Sequence, residues 1–127
     1  MDKRRVLVAD TGEEYRREFV KEIHEEPDIQ VMGQTGNGFE LIDLIQHQEP
    51  DVVVMEMILA GIDGVEVLER LASLPLERKP RVLVVTSLTT GNMADLAVSR
   101  GANHYMTKPC RPATVCARIR QLCNAGC

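Results

Sequence analysis

Apolar positions along the chain follow two rhythms: short β-branched runs, and longer stretches with apolar residues three or four apart. The first run, Arg5 to Ala9, predicts a strand. Glu13 to Glu25 predicts a helix that turns Tyr15, Phe19, Val20 and Ile23 inward and is stopped by Pro27. A second strand spans Ile29 to Gln34, and Thr35-Gly36-Asn37-Gly38 is a turn into a helix over Gly38 to Gln48, with Leu41, Ile42, Leu44 and Ile45 inward. Asp51 to Met55 carries the unbroken run Val52-Val53-Val54-Met55, the habit of a central strand covered on both faces. Asp63 is placed to cap a helix from Gly64 to Ser73 that buries Val65, Leu68 and Leu71. After a connector bracketed by Pro75 and Pro80 come a strand from Arg81 to Val85 and a helix from Asn92 to Arg100, terminated by Gly101. A short strand, His104 to Met106, leads to a last helix that starts at Pro112 and reaches about Cys123.

Five strands alternating with five helices through short connections predict an α/β fold: a doubly wound parallel sheet with helices on both faces. Its 127 residues predict one domain, residues 1–127, large enough to bury a core without staples. No apolar run is long enough to span a bilayer, and the run after the charged N-terminus is too short for a signal-peptide core. The expectation is a cytoplasmic protein that does not engage membranes. A net charge of −4, no basic stripe and 3% aromatic residues argue against direct nucleic-acid binding, so any DNA contact calls for a separate domain.

All four cysteines fall late, at Cys110, Cys116, Cys123 and Cys127. Cys116 and Cys123 share a helix face, seven residues apart, too far for a bridge within one helix. Paired ligand spacing such as CxxC is absent, so reduced, packed thiols are expected rather than a zinc or redox site. Cys127, near the end, is a candidate for an adventitious intermolecular disulfide.

In open α/β sheets the functional crevice lies beyond the carboxyl ends of the strands. Asp10, Thr11, Glu56, Thr86 and Lys108 each stand at or just past such a tip. Carboxylates, a hydroxyl and a lysine make a phosphoryl or metal pocket chemically reasonable. The plain alternative is equally open at this point: Asp10 caps the first helix, Lys108 pairs with Glu56, and Thr86 satisfies a backbone group.

Several strings occur in a telling order: Val8-Ala9-Asp10, Asn37-Gly38, Pro50-Asp51-Val52-Val53-Val54, Asp63-Gly64, Val85-Thr86-Ser87, Gly101-Ala102 and Lys108-Pro109. Together they resemble the receiver domain of bacterial response regulators, over Arg5 to about Leu122, and within that family they are most similar to receivers of sporulation transcription regulators. The resemblance implies a flavodoxin-like strand order of 2-1-3-4-5. It implies that Asp10 is the first member of an acidic pair, Thr86 the switch hydroxyl, Lys108 the pocket lysine and Tyr105 the switch aromatic. A cis peptide is implied at Lys108–Pro109. As partners it implies a histidine kinase or phosphotransfer protein, and a second copy of the chain. The homodimer face would lie on the fourth helix, fifth strand and fifth helix, drawing on Met93, Leu96, Ala97, Tyr105, Arg118 and Arg120, with the two arginines available to Asp95 across a two-fold axis.

The departures from the family pattern carry the functional expectation. The second acid of the pair is Thr11, the phosphate-accepting aspartate is Glu56, and the proline of the following loop is Ala60, in Ile58-Leu59-Ala60-Gly61. A pocket of Asp10, Glu56 and Lys108 has one net negative charge instead of two, so its need for Mg²⁺ falls. A neutral hydroxyl in place of a charged ligand weakens an octahedral site. Asp10, Glu56 and the Ile58 carbonyl are the ligands left, so Mg²⁺ is expected to bind weakly at best and no cofactor is expected. The Glu56 carboxylate is displaced by one methylene, roughly 1.5 Å, which spoils in-line attack.

The expected function is therefore a phosphorylation-independent signalling and dimerisation module of a transcription regulator, a pseudo-receiver and not an enzyme. Glu56 would either partly mimic a phosphoryl group or lock one conformation through Lys108. The alternative is a conventional two-component receiver that takes a phosphoryl group on Glu56 with Mg²⁺. A third reading has a small ligand occupying an emptied pocket.

Overall fold

The computed structural model describes residues 3–89 and 91–124. Its elements follow the expected order: β1 (Arg4–Ala9), α1 (Glu13–His24), β2 (Ile29–Thr35), α2 (Gly38–Gln48), β3 (Val52–Met55), α3 (Gly64–Ser73), β4 (Arg81–Thr86), α4 (Met93–Ser99), β5 (His104–Thr107) and α5 (Pro112–Asn124). The strands form one parallel sheet in the order β2-β1-β3-β4-β5. This is the doubly wound, flavodoxin-like arrangement. In β2, Met32 is an extra residue, so the register steps from Val6↔Val31 to Leu7↔Gly33.

The unbroken apolar runs are explained by two cores, one on each face. Leu7, Ala9, Val53, Met55, Val82 and Val84 pack with Leu41, Ile45, Leu68, Leu71 and Ala97. The alternate residues Val6, Val8, Val52, Val54, Leu83 and Val85 pack with Phe19, Ile23, Val115 and Ile119. Each residue of these runs thus buries its side chain on one face or the other, and each Val, Leu or Met so buried stabilises by roughly 1.5–3 kcal/mol. A single strand with polar alternation could not occupy the centre of this sheet.

Helix ends follow local chemistry. Asp63 Oδ1 accepts the Glu66 N–H at 2.9 Å, as expected of a cap. Asn37 does the same for α2, accepting the N–H groups of Phe39 and Glu40, a cap that the turn reading did not single out. Gly101 takes a φ of +112° just beyond α4. α4 itself is shorter at both ends than its apolar spacing predicts.

Several expectations are corrected. Tyr15 does not enter the core but is 41% exposed and stacks on Phe19, with ring centroids 5.8 Å apart. On the expected dimer face, Ala97 is fully buried against the sheet. Arg120 is committed within its own chain, with Nε and Nη2 held by Asp28 and Nη2 also by Glu26. It faces the turn after α1, which withdraws it from the pairing with Asp95 that the resemblance implies. Cys116 is buried and Cys123 half-buried on one side of α5, and burial pushes the Cys116 thiol up to about 11, as befits a packed thiol. Cys127 lies outside the described residues. No helix among the described residues is long and apolar enough to cross a membrane.

Candidate functional site

Parallel pairing brings the strand tips together. Ala9 lies beside Met55, Met55 beside Val84, and Thr86 beside Thr107. The ladder then continues one residue past each strand. Asp10 N–H donates to the Thr35 carbonyl at 2.9 Å, Glu56 N–H to Ala9 at 2.9 Å, and Lys108 N–H to Thr86 at 2.8 Å. The backbone therefore brings Asp10, Glu56 and Lys108 to one end of the sheet before any side chain is considered. Lys108–Pro109 is a cis peptide, as the resemblance implies.

Asp10 and Glu56 are 6% and 4% exposed, and Thr86 is fully buried. Lys108 Nζ lies 2.6 Å from Asp10 Oδ2 and 3.3 Å from Glu56 Oε1, and 4.2 Å from the centre of the Tyr15 ring. The ammonium is thus enclosed by two carboxylates and an aromatic face. Asp10 Oδ1 accepts the Gly12 N–H at 2.8 Å. It does not cap α1: the cap position is Gly12, which makes no side-chain bond.

Glu56 has partners at both oxygens. Oε2 accepts the Met57 N–H at 2.7 Å; Oε1 accepts the Ser87 N–H at 3.2 Å and lies 3.5 Å from the Ser87 hydroxyl. Burial pushes this carboxyl up. The Thr86 hydroxyl, the Met57 amide, Lys108 and the Ser87 amide pull it down further, leaving its pKa below the ordinary value. Burial likewise works against the Lys108 ammonium, but Asp10 and then Glu56 outweigh it and hold its pKa above the ordinary value. Both groups are therefore charged near neutrality.

The expected residues separate into those that meet and those that do not. Asp10, Glu56, Thr86 and Lys108 converge. Thr11 is exposed. Tyr105 stands one step away: its hydroxyl donates to the Leu88 carbonyl at 2.6 Å, while the Leu88 N–H donates to Thr86 Oγ1 at 3.1 Å. Ser87, Met57 and Tyr15 join the pocket without any signal in their residue types. The first two act through main-chain N–H groups, which residue type does not advertise. Tyr15 has the i, i+4 spacing to Phe19 that reads as core, although its place in the first turn beyond a strand tip was the available clue.

The pocket is not emptied, as a small-ligand reading requires. Asp10, Tyr15, Phe19 and Glu56 bound a cavity of about 10 Å³, room for a water at most. In the loop after β3, the Ala60 N–H donates to the Gly36 carbonyl at 3.0 Å, a bond that a proline there could not make. Gly64 is required by close packing, since a Cβ there would lie 2.8 Å from Met57 Sδ.

The chain is 34% identical over 107 residues to a protein-glutamate methylesterase/protein-glutamine glutaminase from Methanospirillum hungatei. That match covers 83% of the chain but spans only 31% of the relative. The fold is shared with the signal receiver domain of a response regulator, NarL, from Mycobacterium tuberculosis, at a TM-score of 0.91, 22% identity and coverage of 98% and 99%. The response regulator domain of Thermotoga maritima CheB is similar at a TM-score of 0.85 and 27% identity, with 98% of this chain and 99% of that one covered. With residues 6–120 matching the response regulator receiver domain, and strand order, strand-tip residues and relatives in agreement, the chain belongs to the response-regulator receiver family.

Proposed function

We propose that this receiver works without phosphorylation, with Glu56 serving as a permanent, unmodified acid that ties β3 to the loop after β4. The observation that carries this reading is the set of bonds made by one carboxylate. Glu56 takes the Met57 and Ser87 N–H groups and sits 3.3 Å from Lys108, the donors toward which a phosphoryl group on a shorter residue would be aimed. A single charge replaces the roughly two of a phosphoryl group, so Glu56 holds one conformation more than it reproduces phosphate.

Magnesium, which the family implies, does not fit these donors. Both oxygens of Asp10 are engaged, by Gly12 N–H and by Lys108, and Glu56 is engaged at both of its own. Thr11 adds no charge, and the Ile58 carbonyl alone is a weak ligand. Among the described residues no three His, Cys, Asp or Glu side chains come together with ligand spacing.

In this reading the output surface is α4, β5 and α5, through Met93, Leu96, Tyr105 and Arg118, with Val98 54% exposed beside them. It forms a homodimer that presents an effector, and no catalytic step belongs to the module. As effector we favour a DNA-binding segment of a sporulation-type regulator, on the sequence strings alone. A methylesterase, as in the relative of 34% identity, is the other kind of effector that this reading allows.

The test is incubation with acetyl phosphate and Mg²⁺, followed by intact-mass measurement. The wild-type chain should stay unmodified, while Thr11→Asp combined with Glu56→Asp should gain roughly 80 Da. A stable adduct on wild-type Glu56 would instead establish the conventional phosphoacceptor, with a phosphohistidine protein as donor.

A further inference from the structure

Tyr15 lies in the first turn of α1, and a second aromatic ring holds it at the mouth of the strand-tip site. It stacks on Phe19 with centroids 5.8 Å apart and planes 13° from parallel. Phe19 is only 5% exposed and packs in the core shared by α1 and α5, so the tyrosine ring rests on a buried support. Gly12 lets the ring come close to the tip of β1. A Cβ there would fill the space between Asp10 Oδ1, at 3.3 Å, and Tyr15 Cβ, at 3.5 Å. In this position the ring meets the ammonium of the site, with Lys108 Nζ 4.2 Å from its centre.

Asp10 Oδ2 at 2.6 Å, Glu56 Oε1 at 3.3 Å and the ring surround that ammonium, and only 19% of the lysine side chain stays exposed. Tyr15 and Phe19 also line the small cavity beside Asp10 and Glu56. Two effects favour the arrangement. The face of an aromatic ring attracts a cation, more so when water is removed. By keeping water away, the ring also lowers the local dielectric and strengthens the pull of both carboxylates on Lys108. Burial pushes the Tyr15 phenol up, and the opposing pull of Lys108 does not cancel it. The phenol is therefore neutral near pH 7 and adds no third negative charge to the site.

We propose that Tyr15 is the access and positioning residue of the strand-tip site. Backed by Phe19, it holds the Lys108 ammonium onto Asp10 and Glu56 and shuts the side from which a small electrophile or phosphoryl donor would reach them. The inference rests on the reading of Glu56 as a permanent partner of Lys108, and adds the residue that keeps the partnership closed. Its test involves no phosphotransfer. A phosphoryl adduct on Glu56 would overturn that reading alone, and the reactivity of Lys108 decides this one.

The experiment is acetylation by a succinimidyl ester at about pH 8, where only the small unprotonated fraction of a lysine reacts, with the rate at each lysine read by peptide mass spectrometry. Tyr15→Ala should speed labelling of Lys108 by at least about tenfold, against exposed Lys21 as the unchanged reference. Tyr15→Phe keeps the ring and should stay within about twofold of wild type. Tyr15→Leu keeps an apolar side chain against Phe19 without an aromatic face, and should label Lys108 at least about threefold faster than wild type. Buried Cys116, treated in parallel with iodoacetamide, reports global opening and should stay protected in every variant. The proposal is overturned by a Lys108 rate that Tyr15→Ala and Tyr15→Leu leave unchanged, that Tyr15→Phe raises equally, or that rises only as Cys116 becomes reactive.

Discussion

Glu56 Oε1 accepts the backbone N–H of Ser87 at 3.2 Å, so the tip of β3 holds the loop after β4 through a part-buried hydrogen bond. The next residue, Leu88, is in turn bonded by Thr86 and Tyr105. Glu56→Gln keeps the size but removes the charge that faces Lys108. It should destabilise the fold by about 1–3 kcal/mol in chemical denaturation and speed hydrogen exchange at Ser87 and Leu88. Unchanged exchange there would show that the loop is held by other contacts.

Lys108 is the counter-ion for two nearly buried carboxylates. Lys108→Met should cost about 3–5 kcal/mol at neutral pH, because Asp10 and Glu56 are then left together without a cation. The penalty should shrink as the pH is lowered and one carboxylate takes up a proton. A loss that is independent of pH would assign the effect to packing of the lysine stem instead.

Tyr105→Phe removes only the hydroxyl that donates to Leu88. A stability loss of about 0.5–1.5 kcal/mol is expected, with faster exchange confined to the loop after β4. Loss of exchange protection spread across β5 would contradict this local assignment.

A second charged cluster ties α5 to the turn after α1. Hydrogen bonding from Arg120 holds the Asp28 carboxyl at about 2, below the ordinary 3.8, and Arg4 adds its charge. A depressed carboxyl contributes its stability above the unfolded value, and that contribution is lost as pH falls through the folded value. Asp28→Asn should therefore be less stable than wild type at neutral pH, by about 1–3 kcal/mol, with the gap closing between about pH 4 and pH 2. Urea midpoints across that range provide the measurement.

Much of this was legible in the residues. The all-apolar runs at Val52–Met55 and Val82–Val85 mark strands buried on both faces, and period and punctuation placed every helix to within a turn. Asp10, Glu56, Thr86 and Lys108 were legible as a group because parallel strands deliver their tips to one edge. Tyr15 and Arg120 were misjudged for the same reason: spacing gives the face of a helix but not what stands opposite it.

Residue identity and local order are enough for the alternation of strands and helices, for the family, and for the placing of Thr11 and Glu56 at the strand tips. Tertiary structure alone decided which donors Glu56 meets and that Tyr15 covers Lys108. Those relations join residues far apart in the chain through main-chain N–H groups and side-chain reach, which no local pattern encodes.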